Sequence, residues 1–144
     1  MKKTWLLPDV NVWVALTFDS HPHHPSAKTW FDGLTDEPLL FCRMTQQGFL
    51  RLATNPKVAG KHVLTLTDAR QKYDTYLGDP RIAFTGETAN IESHWRTFTQ
   101  GNTFSPNVWN DAYLAAFSVV GNYELVTFDK GFARYPGLTY TLLS

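Results

Sequence analysis

The stretch NVWNDAYLAAFSVVGNYELVTFD, residues 107–129, contains the pieces from which the fold can be read. Val108, Ala112, Ala115, Ala116 and Val119 recur at helical spacing, so Asn107 to Val120 is predicted as a helix. Gly121-Asn122 supplies its stop, because both residue types accept the left-handed backbone that closes a helix. Glu124 to Phe128 then reads as a short apolar strand, and Asp129 stands where that strand gives out. A helix feeding a buried strand through a two-residue stop is half of a βαβ unit.

The same arrangement extends in both directions. Upstream, Thr4 to Val10 reads as a buried strand and Asn11 to Phe18 continues apolar at helical spacing. Pro22 and Pro25 flank a second helix start, with Ala27, Trp30, Phe31 and Leu34 as its inward stripe. Pro38 to Cys42 is a second strand, and Phe49, Leu50 and Ala53 share one face of a helix over Met44 to Ala53 that Asn55-Pro56 ends. After a further helical segment, Thr67 to Leu77 is predicted as a helix capped by Thr67, then Ile82 to Phe84 as a strand and Ala89 to Phe98 as a helix. Downstream, Thr139 to Leu143 completes the strands. Strands alternating with helices predict an α/β fold, a mostly parallel sheet with helices on both faces. At 144 residues, 43% of them hydrophobic, the chain holds one domain with a substantial core and little room for a second.

Thirteen basic and thirteen acidic side chains leave no net charge, so no global field steers the chain to a polyanion or a membrane surface, and any nucleic acid must be held locally. No stretch approaches the ~20 apolar residues of a membrane helix. The single cysteine, Cys42, excludes an internal disulfide and fits a small buried hydrophobe in a reducing, cytoplasmic setting.

Three acids stand out by placement. Asp9 and Asp129 follow the two most apolar strand candidates, and Asp111 opens the most apolar helix, a costly position for a charge without a partner. Ligands in open parallel sheets bind beyond the carboxyl ends of the strands, so the three can converge on one site. Crowded carboxylates are relieved by a hard divalent cation, Mg²⁺ or Mn²⁺. Asn11 can hydrogen-bond a carboxylate or phosphate, and the Thr127 hydroxyl can orient Asp129. Asn11 cannot serve as the second acid of an aspartyl-phosphate hydrolase, and Pro8-Asp9 lacks the acidic pair of a signalling receiver. The run His21-Pro22-His23-His24 reads as a polar helix start rather than a zinc site, for want of further nitrogen or sulfur ligands.

Several segments in order resemble the PIN-domain ribonucleases, in particular the VapC toxins of toxin–antitoxin pairs. They are Leu6 to Val12, His21 to His24, Thr45 to Pro56, Asn110 to Ala115 and Leu125 to Phe132. The resemblance implies a three-layer α/β/α PIN-like domain over residues 1–144 and a metal-dependent endoribonuclease. In it Asp9, Asp111 and Asp129 would hold Mg²⁺ or Mn²⁺, with Gln46 at the position where many members carry a glutamate. Asn11 and Thr127 would support them, and Arg43, Arg51, Lys57 and Lys130 would contact RNA, with Lys61 and Arg134 nearby. It further implies a VapB-like antitoxin and a second copy of the chain as partners. Because Gln46 contributes no charge, a PIN-like RNA-binding domain of little catalytic power is the alternative, and a DNA-directed PIN nuclease is another. Glu37, Glu87 and Glu92 are candidate replacement acids, each more naturally read as a solvated side chain.

Overall fold

A computed structural model describes residues 3–102 and 104–144. In chain order the elements are β1 (Leu6–Pro8), α1 (Val10–Thr17), α2 (His24–Asp32), β2 (Leu39–Phe41), α3 (Arg43–Ala53), α4 (Pro56–Ala59), a 3-10 turn (Gly60–His62) and α5 (Leu66–Leu77). There follow β3 (Ile82–Phe84), α6 (Ile91–Phe98), α7 (Val108–Gly121), β4 (Glu124–Thr127), a second 3-10 turn (Lys130–Arg134) and β5 (Tyr140–Leu142). The five strands form one sheet in the order β3-β2-β1-β4-β5, and every pairing is parallel.

Alternation along the strands divides the core between the two faces of the sheet. Leu6, Leu39, Phe41 and Val126 pack with Trp13, Phe49 and Tyr73, under α1, α3 and α5. Leu7, Leu40 and Leu125 pack on the other face with Ile91, Ala112, Ala115 and Phe117 of α6 and α7. This is the three-layer α/β/α arrangement that the alternating pattern and the resemblance predict. Trp13, fully buried, stacks on Phe41 with ring centroids 4.0 Å apart. Asn122, at φ 58°, ends α7 in the left-handed conformation, as the Gly121-Asn122 stop requires. Cys42 is buried at the end of β2.

The start of α5 differs from expectation. Its cap is Thr65, whose hydroxyl accepts from the Asp68 N–H at 3.1 Å, and not Thr67, which lies within the helix. Leu66 begins the helix although it is largely exposed, so the cap geometry and not the apolar pattern sets this boundary. Among the described residues, no helix is long and apolar enough to cross a membrane.

The topology determines where a site can form. From β1 the chain moves outward to β2 and β3, then returns through α6 and α7 to pair β4 on the opposite side of β1. The direction of winding therefore reverses between β1 and β4. Beyond the carboxyl ends of those two strands the connections diverge and leave a crevice.

Candidate metal centre

Asp9 follows β1 and caps α1, its Oδ1 accepting from the Val10 N–H at 2.7 Å. Asp129 follows β4 by two residues, and its Oδ1 accepts from the Gly131 N–H at 2.8 Å, capping the 3-10 turn. Between them stands Thr127, fully buried at the end of β4. Its hydroxyl donates to Asp9 Oδ2 at 3.1 Å and accepts from the Asp129 N–H at 3.0 Å. One side chain thus ties together acids 120 positions apart, fixing the carboxylate after β1 and the backbone after β4. Asp111 enters from the first turn of α7.

The three carboxylates share one electrostatic environment. Burial, reinforced by Asp111 and Asp129, pushes the Asp9 carboxyl up to about 6, against the pull of its bonds to Val10 and Thr127. Asp111 is raised by burial and by Asp129, and Arg134 partly offsets this. Asp9 and Asp111 border a cleft of about 310 Å³ whose other walls are Val10, Asn110 and the α3 residues Met44, Gln47, Gly48, Arg51 and Leu52. Asp129 is exposed beside it. A larger hollow of about 410 Å³ lies at the opposite edge of the sheet, between Lys3, Trp5 and Tyr123, and contains no acid.

Gln46 departs from its expected place. It is buried on the side of α3 away from the cleft, where its amide oxygen accepts from Arg43. The cleft-facing residue is its neighbour Gln47. The sequence does contain the signal: Gln46 lies three residues before Phe49 and seven before Ala53, on the buried stripe, whereas Met44, Gln47, Gly48 and Arg51 form the adjacent one. Gly48 allows α3 to approach this closely, since a Cβ there would lie 2.6 Å from Val10 Cγ2.

The remaining predicted residues are scattered. Asn11 is exposed on α1. Arg51 borders the cleft and Lys130 is exposed next to Asp129. Arg43, besides its bond to Gln46, sits over the Phe84 ring at 4.7 Å, while Lys57 and Lys61 are exposed around α4. The replacement acids are otherwise engaged: Glu87 accepts from the Tyr113 hydroxyl at 2.7 Å, Glu92 pairs with Arg96, and Glu37 accepts from the Thr35 N–H. At the head of α2, His24 Nδ1 lies 2.7 Å from the Ala15 carbonyl and His23 stacks on Phe128, which fits the polar helix start.

Two neighbours escaped the sequence reading in their detail. Arg134 donates from Nε to the Gly131 carbonyl at 3.0 Å. Tyr135 has a buried hydroxyl with no hydrogen-bond partner among the described residues. Burial chiefly raises the pKa of that hydroxyl; Arg134 lowers it, and Asp111 and Asp129 add to the rise. A short 3-10 turn has no periodicity from which such placements could be read.

The fold and the acid-lined crevice define a class, and comparison with known proteins names it: residues 6–138 match the PIN domain, and the chain belongs to that family. Among relatives, Ribonuclease VapC41 of Mycobacterium tuberculosis is 42% identical over 144 residues, covering 96% of this chain and 99% of that one. Among solved structures, VapBC2 from Rickettsia felis bound to a DNA fragment from its promoter has a TM-score of 0.69 at 16% identity, covering 98% of this chain and all of that one. Mycobacterium tuberculosis VapC20, described as a sarcin-ricin loop cleaving toxin, has a TM-score of 0.64 at 16% identity, covering 92% and 98%. At these identities the structural matches establish the shared fold.

Proposed function

We propose that this chain is the toxin of a VapBC-type pair, an Mg²⁺- or Mn²⁺-dependent endoribonuclease that hydrolyses RNA phosphodiester bonds. The observation that supports this reading is that Asp9 and Asp111 border one cleft at the switch point of the sheet, while Thr127 ties the Asp9 carboxylate to the turn carrying Asp129. The relationship to Ribonuclease VapC41 along nearly the whole chain supports it.

The donor set suits a hard cation: carboxylate oxygens, with amide oxygens from Gln47 and Asn110 at hand and no thiolate in the cleft. Among the described residues no three His, Cys, Asp or Glu side chains are grouped closely enough to hold a metal ion by themselves. Mg²⁺ keeps several of its waters and needs only one or two carboxylates, so acids spread around a cleft fit it. Asp9, Asp111 and Asp129 would hold the ion, which when bound supplies Lewis acidity at the phosphoryl group and relief of carboxylate repulsion. Thr127 positions Asp9 and the turn carrying Asp129 through its two bonds. Water would be the nucleophile, attacking the phosphorus in line and expelling the ribose oxygen without a covalent enzyme intermediate. Arg51, with Arg43, Lys57 and Lys130 farther out, would hold RNA phosphates. A VapB-like antitoxin would cover the cleft, and a second copy of the chain would complete the toxin.

The test is incubation of the purified chain with RNA and DNA of matched sequence, with Mg²⁺, with Mn²⁺ and with EDTA. Cleavage of RNA alone, lost with EDTA and in Asp9→Asn, is expected. Cleavage that survives both would sink the reading, and cleavage of DNA alone would replace the substrate. The rival, an RNA-binding PIN domain without cleavage, is favoured by one observation: α3 presents Gln47 and Gly48 to the cleft and no acid. Binding without cleavage would decide for it.

A further inference from the structure

Trp109 is an indole that the core does not use. It stands in the first turn of α7 and is 58% exposed, whereas Trp95 of α6 is half-buried and packs against the core on that side of the sheet. Trp95 Nε1 donates to the Trp109 carbonyl at 2.9 Å, and the two rings meet edge to face with centroids 6.2 Å apart. Beside them lies a hollow of about 480 Å³, bordered by both indoles and by Glu92, Arg96, Thr99 and Gln100. Of the nine exposed large apolar side chains among the described residues, Trp109 alone borders it. The surface there is one aromatic plane ringed by polar groups, unlike the broad apolar patch with which a stable dimer buries about 800 Å² per partner.

We propose that this hollow receives a base of single-stranded RNA, stacked on Trp109, from a nucleotide flanking the one whose phosphate enters the acid cleft. The hollow adjoins that cleft through α7. Asn110 and Asp111, the next two residues, are walls of the cleft, and Trp109 and Asp111 lie about 200° apart around the helix, on either side of its first turn. The far end of α6 leads the same way: Phe98 lies 5.3 Å from the ring of Tyr135, which follows the 3-10 turn beyond Asp129. Both sites therefore occupy the carboxyl edge of the sheet, with the start of α7 between them. An indole face accepts any base, because every base offers a π-face. The Gln100 amide and the Arg96 guanidinium, whose charge Glu92 offsets at 3.1 Å from Nε, supply hydrogen-bonding groups for a base edge. With no net charge on the chain, part of its affinity for RNA must come from uncharged contacts of this kind.

This assignment rests on the proposed reading of the cleft as an RNA-cleaving site, and binding separates the two. A fluorescein-labelled single-stranded RNA oligonucleotide is titrated with each protein in Ca²⁺ at several salt concentrations and followed by anisotropy, and unlabelled RNA is titrated in parallel against tryptophan emission. Trp109→Ala should weaken binding about fivefold or more, as the loss of one stacking partner does. It should leave the slope of log affinity against log salt unchanged, because no phosphate contact is lost. Trp109→Phe keeps an aromatic face and should bind within about threefold of the parent. RNA should quench the parent's tryptophan emission, and Trp109→Phe should lose most of that quenching. Trp5→Ala, which removes an indole of similar exposure at the opposite edge of the sheet, should change affinity less than about twofold. Mn²⁺ affinity without RNA should be the same in all three variants. Binding by Trp109→Ala no weaker than by Trp5→Ala, or quenching retained in Trp109→Phe, overturns the proposal. So does a change from dimer to monomer in Trp109→Ala by sedimentation at unchanged affinity for RNA, which would make the hollow a contact between two copies of the chain. If Trp109→Ala does not fold, the quenching of the parent against that of Trp109→Phe decides. If the parent leaves RNA intact in Mg²⁺, the ribonuclease reading falls, while these binding outcomes still judge Trp109.

Discussion

Asp9 is held in a state that favours its proton. With a folded pKa of about 6 against an ordinary value of 3.8, the native state binds a proton more tightly than the unfolded chain over the interval between them. Unfolding free energy therefore falls as pH rises from about 4 through about 6, by on the order of 2 to 3 kcal/mol, with Asp111 adding a contribution of the same sign. In EDTA the melting temperature should drop across this window, and Asp9→Asn should flatten the drop while stabilising the protein at pH 7. Mg²⁺ should restore more stability at pH 7.5 than at pH 5, because it binds the ionised form. A melting temperature independent of pH in EDTA would mean that Asp9 is not held as its surroundings imply. Asp111→Asn should abolish RNA cleavage yet leave the fold as stable or slightly more so, since one of three mutually repelling charges is removed. At α3 the two glutamines separate. Gln47→Glu should strengthen Mn²⁺ binding by bringing a fourth carboxylate to the cleft, whereas Gln46→Glu should form an ion pair with Arg43 and leave metal affinity unchanged. Titration of both variants with Mn²⁺ tests this, and a gain in Gln46→Glu alone would reverse the placement.

Among the elements, α3 and α1 determine the width of the cleft, and their contact is made at Gly48. A methyl group there would meet the γ-methyls of Val10 at 2.6 and 3.2 Å, and a β-branched side chain has little freedom to turn aside. Gly48→Ala gains about 1 kcal/mol in helix propensity but forces the helices apart, at a cost of roughly 1 to 3 kcal/mol. A net loss in stability is expected, accompanied by weaker metal binding as the walls separate. Val10→Ala in the same chain should recover part of both losses, so a double-mutant cycle in urea should show coupling. Additive effects would mean that the helices do not meet there. The elements themselves were largely legible: short apolar runs of three to seven residues placed all five strands, and β3 agrees to the residue. Helix phase was harder to read. Gln46 and Gln47 are chemically identical neighbours turned about 100° from one another, and only the packing of Phe49 and Ala53 determines which one enters the core. The tether at Thr127 was half legible. Its link to Asp129 is local, while its bond to Asp9 exists because β1 and β4 are paired with Pro8 opposite Val126.

At the scale of the whole molecule, the acids occupy the one edge of the sheet where the chain's winding reverses, and the rest of the surface does little to attract RNA. Thirteen cationic and thirteen anionic groups cancel, so attraction must come from the few cations near the crevice. Arg51 on its wall, Lys130 and Arg134 on the turn beyond β4, and Lys57 on α4 form such a set, while Lys28 and Arg96 are already paired with Asp32 and Glu92. Release of counterions from a single strand contributes a slope of about −0.7 per phosphate neutralised to the dependence of log affinity on log salt. Four contacts therefore predict a slope of about −3, shallow for a nucleic-acid-binding protein, and Arg134→Met should make it shallower by somewhat less than one. Measured by anisotropy in Ca²⁺ between 50 and 300 mM salt, a slope near that value would match a footprint confined to the crevice. A slope steeper than about −6 would require RNA to run well beyond it, over basic groups that the fold places elsewhere, and the local reading of the charge distribution would fail.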